Sequence, residues 1–218
     1  MMPLSPMRFG LLGPSNGDLS TLEMGASFLL FEQQAELVMY LGEDDALDQL
    51  VLGWARRLVG DDPTDAGIWD RAAACSGAAP REIEQFVESE RKRQRLKALQ
   101  CLPGAAALTI EILEGRVAVL LYDKALLDEE DILPASLLIF GKNQDPLVRT
   151  VGARTFISPG EIGSGPAGVA LLRDVPSGEI ELGIFSPDGR KLESYVVASG
   201  PKTGKLRVLD KSSSSERP

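Results

Sequence analysis

Residues 8–19 read Arg-Phe-Gly-Leu-Leu-Gly-Pro-Ser-Asn-Gly-Asp-Leu, and the type of fold follows from this stretch. The apolar run from Met7 to Leu12 stops at Gly13-Pro14, which is typical of a strand that enters a loop. A turn at Asn16-Gly17 comes next. It is followed by apolar residues at helical spacing, which are Leu19, Leu22, Met24 and Phe28. The stretch therefore predicts a strand, a loop and a helix.

A second unit of the same kind follows directly. Leu37 to Leu41 is an apolar run closed by Gly42, and Asp44 can cap the helix that comes after it. The apolar face of that helix is expected to contain Leu47, Leu50, Val51 and Trp54. Two successive strand-helix units indicate a parallel sheet with crossover helices.

The middle of the chain changes character twice. Residues 60–79 are loop-rich and acidic, and Pro80 is well placed in the first turn of a long helix that runs to about Ala98. From Leu99 onward, short apolar runs alternate with turn signals, which predicts strands. The runs are Leu99–Leu102, Leu108–Leu113, Val117–Leu121, Ser136–Phe140, Arg154–Ile157, Val169–Leu172, Ile180–Phe185 and Leu192–Val197.

Strands with helices first and an antiparallel meander afterwards fit a four-layer αββα sandwich. In this α/β architecture, two mixed β-sheets pack face to face and helices flank them. We predict a single domain over residues 7–198 with a helical insertion around 60–98. Residues 1–6 and 211–218 are expected to be disordered termini, since residues 211–218 contain no apolar side chain.

Composition limits the possible functions. The 218 residues include no histidine, which excludes Ser-His and Cys-His mechanisms. The net charge of -9 makes a nucleic-acid partner unlikely, because binding phosphates needs clustered positive charge. Cys75 and Cys101 do not form a disulfide framework and are expected to be reduced and structural. Neither a spanning segment nor a signal peptide is recognisable, so we expect no membrane and a cytoplasmic location.

The two opening units resemble the first motifs of the calcineurin-like metallophosphoesterases, including the small bacterial phosphodiesterases and the retromer subunit. The first motif of that family is a strand that runs into D-x-H-G-N-L, and here Pro14 stands at the Asp position and Asn16 at the His position. Residues 37–43, Leu-Val-Met-Tyr-Leu-Gly-Glu, resemble a strand ending in Gly-Asp whose Asp bridges two metals. Here the acid is Glu43.

The later motifs are similar in order and spacing. Residues 102–107 resemble the third motif, G-N-H-D or G-N-C-D, with Ala105 after its glycine. The strand that normally ends in His-Gly has Tyr122. The strand that ends in G-H-x-H-x-P has Lys142 and Gln144 at the His positions. Residues 156–161 are similar to the N-P-G-S turn, and the resemblance covers about residues 7–198.

The resemblance implies a two-metal phosphoesterase whose ligands have been replaced. Such a centre needs about four or more ligands per ion to turn a bridging water into hydroxide. Glu43 and Asn16 would leave most positions open, and Lys142 would add positive charge. We therefore predict no metal, no cofactor and no catalytic residue. The former metal-site positions, a possible ligand pocket, are Pro14, Asn16, Glu43, Ala105, Tyr122, Lys142 and Gln144.

Two of these residues carry more specific hypotheses. Lys142 could pair with Glu43 as an internal cation in place of the metals, or point to solvent. Tyr122 is expected to fill vacated space with its hydroxyl group hydrogen-bonded.

Residues 91–97 are a basic run on the long helix. They could recruit an acidic protein or RNA, or form a solvated face on which Glu88 meets Lys92.

Three functions are compatible with these features. The first is a catalytically inactive pseudoenzyme that acts as a protein-protein interaction scaffold or regulator, by analogy with the retromer subunit that uses this fold as an adaptor. An alternative is a nucleotide or small phosphate-ligand sensor that uses the degenerate pocket. The third is a residual phosphoesterase. An unidentified protein partner and a homodimer are both compatible with the fold.

Overall fold

The chain is described by a computed structural model over residues 7–104, 108–176 and 178–197, without the side chain of Asp131. Ala105 and both termini predicted to be disordered, residues 1–6 and 211–218, lie outside the described residues. Among those described, no helix is long and apolar enough to cross a membrane.

The opening stretch forms the predicted strand and helix. Strand β1 spans Arg8–Leu12, helix α1 spans Leu19–Ser27 and continues into a π-helical turn, and strand β2 spans Leu37–Tyr40. The Asp18 side chain caps α1 by accepting a hydrogen bond from the backbone N–H of Thr21 at 3.1 Å. Of the apolar residues predicted to form the helix face, Leu22 and Phe28 are buried, whereas Leu19 and Met24 are exposed.

Three helices and a short strand follow. They are α2 (Ala46–Val59), α3 (Ile68–Ala74), α4 (Pro80–Arg95), which ends in a 3-10 turn, and β3 (Leu99–Cys101). The long helix beginning at Pro80 is confirmed. Residues 60–79 were predicted to be rich in loops within a helical insertion, and α3 is the helix that they contain. That helix has no buried residue, so its sequence lacks the apolar periodicity from which helices are recognised.

Eight further strands and one more α-helix follow in the described chain. They are β4 (Thr109–Leu113), β5 (Arg116–Leu121), α5 (Glu129–Ile132), β6 (Leu137–Phe140) and β7 (Leu147–Val151), then β8 (Arg154–Ser158), β9 (Val169–Asp174), β10 (Ile180–Phe185) and β11 (Lys191–Val197). Strand β7 was not predicted. It lies at the edge of its sheet and three of its five residues are exposed, so its apolar signal is weak.

The strands form two mixed sheets. The first has the order β11-β10-β9-β1-β2-β3, with β1, β2 and β3 parallel and β9 to β11 antiparallel. The second has the order β4-β5-β6-β8-β7, and β5, β6 and β8 are parallel. The predicted antiparallel meander is therefore wrong for the second sheet. Its apolar runs are short, and strand direction depends on the connections between them.

The two sheets pack face to face through alternating residues. Phe9, Leu11 and Met39 of the first sheet share a buried cluster with Leu120 and Ile139 of the second. Helices α1 and α2 cover the outer face of the first sheet, and α5 lies against the outer face of the second. The predicted αββα sandwich of mixed sheets is confirmed.

Two glycines bring the sheets together at the carboxyl ends of their parallel strands. A Cβ atom on Gly13 would lie 1.7 Å from the carbonyl oxygen of Gly160, and one on Gly141 would lie 2.0 Å from that of Leu41. Each contact joins a loop of one sheet to a loop of the other. The loops after the parallel strands therefore meet at one edge of the sandwich, and the candidate site lies there.

Candidate functional site

Lys142 and Asp123 form an ion pair at this edge, after β6 and β5. Nζ of Lys142 lies 2.6 Å from Oδ2 of Asp123. The hydrogen bond from Lys142 lowers the pKa of Asp123, and the same bond raises the pKa of Lys142. The predicted partner, Glu43, makes no ion pair with Lys142 in the described structure. That hypothesis is wrong because Asp123, in the loop that follows β5, offers a nearer carboxylate.

Tyr122 stands beside this pair. Its ring is partly buried against the core between the sheets, and Nζ of Lys142 lies 5.9 Å from the ring centroid. Burial raises the pKa of Tyr122, and the negative charge of Glu43 adds to that effect. No described residue forms a hydrogen bond with its hydroxyl group, so the expected hydrogen bond stays a prediction. The ring fills space and its hydroxyl group is not completely buried.

Asn16 and Gln144 contact a residue that the sequence analysis did not select. Nδ2 of Asn16 donates to Oε2 of Glu161 at 3.2 Å, and Oγ of Ser164 donates to the same oxygen at 2.8 Å. The backbone N–H of Glu161 donates to the carbonyl oxygen of Gln144 at 3.1 Å. Asn16 adopts a left-handed conformation with φ of 49°, in keeping with the predicted turn.

The other selected positions have different surroundings. Pro14 is buried, and its carbonyl oxygen accepts a hydrogen bond from the backbone N–H of Ile162 at 2.8 Å. Glu43 is exposed in the loop between β2 and α2. Ala105 lies outside the described residues. The structure thus brings Asn16, Tyr122 and Lys142 to one edge, and their role as a ligand pocket stays a prediction.

Tyr40 forms a hydrogen-bonded cluster beneath this edge that the sequence analysis missed. Its hydroxyl group is 2.7 Å from Oδ1 of Asp44, and it accepts a hydrogen bond from the backbone N–H of Ser15 at 3.0 Å. Both Tyr40 and Ser15 are buried. Burial raises the pKa of Tyr40 well above its ordinary value, so the hydroxyl group stays protonated. The cluster ties the loop after β1 to the start of α2.

Cys101 lies at the end of β3, close to Asp48. Its thiol is free and partly buried, and burial raises its pKa to about 12, with Asp48 contributing. A thiol with so high a pKa is almost entirely protonated at neutral pH. Cys75 is also free, which agrees with the prediction that neither cysteine forms a disulfide.

The donor set does not fit a two-metal centre. In the described ranges, no three His, Cys, Asp or Glu side chains are placed to hold an ion. Asp123 is already paired with Lys142, and one oxygen of Glu161 accepts hydrogen bonds from Asn16 and Ser164. The residues that would have to bind metal therefore satisfy one another instead.

Three of the five cations in the basic run at 91–97 form ion pairs within the described structure. Lys92 pairs with Glu88 at 2.7 Å, as the solvated-face interpretation predicted. Arg93 is buried and pairs with Glu90 at 2.7 Å, and Lys97 pairs with Asp65 at 2.6 Å. Arg95 donates to the carbonyl oxygens of Leu30 and Ala35, which carry no charge. Recruitment of an acidic protein or RNA by this run stays a prediction.

One sequence signal could have identified Asp123 and Glu161. Asp123 directly follows Tyr122, and Glu161 is the last residue of the stretch compared with the N-P-G-S turn, so both lie in the loops that border the site. Tyr40 gives no such signal, because a tyrosine at the end of an apolar run reads as an ordinary core residue.

The fold of this chain is similar to the folds of several solved structures. A predicted phosphoesterase from Streptococcus pneumoniae superposes with a TM-score of 0.50 and 10% identity, over 88% of this chain and 99% of that one. An archaeal phosphodiesterase superposes with a TM-score of 0.48 and 12% identity, over 88% of this chain and 100% of that one. Vacuolar Protein Sorting 29 from Cryptosporidium parvum superposes with a TM-score of 0.48 and 10% identity, over 89% of this chain and 99% of that one.

No protein-family model and no curated protein matches the chain. The structural likeness to the streptococcal protein spans nearly the whole of that protein, and it agrees with the motif order along this sequence. The chain therefore has the fold of the calcineurin-like metallophosphoesterases.

Proposed function

We propose that this protein is a metallophosphoesterase-like pseudoenzyme that acts as a protein-protein interaction scaffold or regulator. The observation that carries the proposal is the pairing of Lys142 with Asp123 at 2.6 Å. An ammonium group here opposes a divalent cation and occupies a carboxylate that could have been a ligand. The absence of histidine from the whole chain removes the other common ligand and the usual general base.

A scaffold role needs a rigid body rather than a reactive centre. The sheets are held by a continuous apolar core, and the loops of the candidate site are tied by the Tyr40 cluster and by the bond from Asn16 to Glu161. Such loops present a fixed surface, which lowers the entropy that a partner loses on binding. We place this role in the cytoplasm, in keeping with two free cysteines.

The phosphate-sensor alternative has less support. Lys142 is the cation that would meet a phosphate, yet it already neutralises Asp123. The carboxylates of Glu43 and Glu161 add negative charge to the same edge and raise the pKa of Tyr122 further. An anion would have to displace the ion pair and approach these carboxylates. We therefore favour a protein partner.

A hydrolysis assay with a matched variant tests the loss of catalysis. The purified protein would be incubated with bis(4-nitrophenyl) phosphate in excess Mn²⁺ or Zn²⁺, beside Glu43→Ala. We expect both proteins to release nitrophenol at the rate of buffer alone. Turnover in the wild type that disappears in Glu43→Ala would overturn the proposal, because it would show a working carboxylate ligand.

The scaffold role needs its own test. The tagged protein would be used to isolate binding partners from its native extract, beside Glu43→Lys/Glu161→Lys, which reverses charge at the candidate site. Glu88→Lys on α4 serves as the control. We expect a partner that the control retains and the site variant loses. Identical recovery with all three proteins would contradict a role for this edge.

A further inference from the structure

The segment between α2 and α4 is attached to the domain without apolar packing. No residue from 60 to 79 belongs to the apolar clusters of the described structure, and helix α3 within this segment has no buried residue. Trp69 of α3 is 77% exposed. A segment without a buried apolar side chain gains little stability from the hydrophobic effect. Polar contacts must therefore hold it in place.

Glu90 and Arg93 of α4 supply the buried part of these contacts. Oε1 of Glu90 accepts a hydrogen bond from Nε of Arg71 in α3 at 2.7 Å. Nη1 of Arg93 donates to the carbonyl oxygen of Pro63 at 2.9 Å, and its Nη2 donates to Oδ1 of Asp65 at 3.0 Å. Glu90 and Arg93 also pair with each other at 2.7 Å. Charged groups therefore join α3 and the loop before it to α4.

The burial of Glu90 and Arg93 limits the cost of opening the segment. These residues are only 7% and 5% exposed. Removing charges from water is unfavourable, and this penalty offsets much of the attraction within a buried ion pair. If the segment moved away from α4, both side chains would return to water and could stay paired with each other. Hydration would thus compensate in part for the lost contacts to Arg71 and Asp65.

An apolar groove lies beneath the first part of this segment. Its volume is about 280 Å³. Its apolar walls come from α2 and from the chain after α4, and they consist of Val51, Leu52, Ala55, Leu96 and Leu99. Pro63 and Thr64 of the segment also line the groove. The segment therefore narrows the groove, and its departure would expose more of the apolar walls.

We propose that residues 61–75 form a lid over the groove between α2 and α4, and that Glu90 and Arg93 hold this lid closed. The lid opens as a unit while the two sheets stay folded. Gly60 and Gly77 border the lid and provide the backbone freedom for this movement, and Gly60 has a φ of 90°. The proposal is independent of the function proposed above.

Hydrogen exchange of the α3 amides in the full chain tests whether the lid opens on its own. Arg71→Gln removes the contact to Glu90, and Asp65→Asn removes the carboxylate that joins the loop to α4. Arg91→Gln on α4 is the control, because Arg91 is exposed and forms no ion pair in the described structure.

We expect the α3 amides to exchange at least about tenfold faster in Arg71→Gln and Asp65→Asn, and at the wild-type rate in Arg91→Gln. Amides of β1 and β2 should exchange at the same rate in all four proteins. Equal α3 exchange in all four proteins would overturn the proposal. Acceleration of β1 and β2 together with α3 would also overturn it, because α3 would then open only when the whole fold opens.

Dye binding tests whether the lid covers the groove. The dye anilinonaphthalene sulfonate fluoresces when it binds exposed apolar surface. We expect Arg71→Gln to bind several-fold more dye than the wild type or Arg91→Gln. Adding Leu52→Glu to Arg71→Gln should abolish this gain, because Leu52 lines the groove. No gain in Arg71→Gln, or a gain that Leu52→Glu leaves intact, would overturn the proposal.

Discussion

Nζ of Lys142 and Oδ2 of Asp123 lie 2.6 Å apart at the edge where the parallel strands of both sheets end. This ion pair joins the loops that follow β5 and β6, and the carboxylate of Asp123 neutralises the charge of Lys142. It is also the feature that separates the site most clearly from a metal centre.

The ion pair with Lys142 should determine the pKa of Asp123. Because the hydrogen bond from Lys142 is the largest cause of the lowered pKa of Asp123, Lys142→Met should raise that pKa toward the ordinary value for aspartate. Glu43→Gln is the control and should leave the pKa of Asp123 unchanged. Carboxyl carbon shifts followed by NMR across a pH titration measure it. A larger effect from Glu43→Gln than from Lys142→Met would revive the rejected pairing.

The Tyr40 cluster should contribute to stability. Tyr40→Phe removes the hydroxyl group and leaves the buried Ser15 without that partner, so we expect a loss of about 1–3 kcal/mol in the free energy of unfolding. Tyr195→Phe is the control, because the partly buried Tyr195 forms only one hydrogen bond through its hydroxyl group in the described structure, an exposed bond to nearby Glu193. Urea denaturation measures both. Equal losses would mean that the cluster adds nothing specific.

The close approach of the sheets at Gly13 should tolerate no side chain. Gly13→Ala would force a Cβ atom against the carbonyl oxygen of Gly160, and we expect a loss of at least about 3 kcal/mol in the free energy of unfolding. Gly53→Ala, inside α2 and with open space around it, should instead stabilise by up to about 1 kcal/mol. Urea denaturation of both variants is the test, because the free energy of unfolding should fall in Gly13→Ala and rise in Gly53→Ala. A neutral Gly13→Ala would show that the sheets can separate there without cost.

Glu181 should make stability depend on acid pH. Hydrogen bonds from Lys191 and then Arg173 lower its pKa from 4.5 to about 2. Because the pKa of Glu181 is lower in the folded state than in the unfolded chain, its carboxylate stabilises the fold fully at pH values above about 4.5. This contribution is lost as pH falls from about 4.5 to about 2.

The matching experiment compares Glu181→Gln with the wild type. The variant should be less stable at about pH 7, and the difference should shrink near pH 2, where the wild-type carboxyl group takes up a proton. Urea denaturation at several pH values checks this. A difference that is constant across that range would assign the effect to packing rather than charge.

Much of the fold could be predicted from apolar runs and turn signals. The strand at Ile180–Phe185 has the predicted limits, and the helix from Pro80 was predicted because proline marks its first turn. Strand β7 was missed, and the limits of α3 were not predicted within the helical insertion, because both elements are mostly exposed and lack a periodic apolar pattern. Strand direction in the second sheet was wrong, since it depends on long-range pairing.

The site was less predictable than the fold. Motif order selected Asn16, Tyr122 and Lys142, and these residues lie at one edge. The partners that satisfy them, Asp123 and Glu161, follow from loop geometry that a linear pattern does not contain. A sequence can therefore identify the positions that border a site more readily than the contacts between them.

Metal stoichiometry tests the central claim most directly. The purified protein would be exposed to excess Mn²⁺ and Zn²⁺, passed through a desalting column and analysed for metal content per chain. We expect far less than one bound ion per chain, because Lys142 and Asp123 satisfy each other and histidine is absent. Two bound ions per chain would contradict the account and would identify the protein as a metal-loaded phosphoesterase fold.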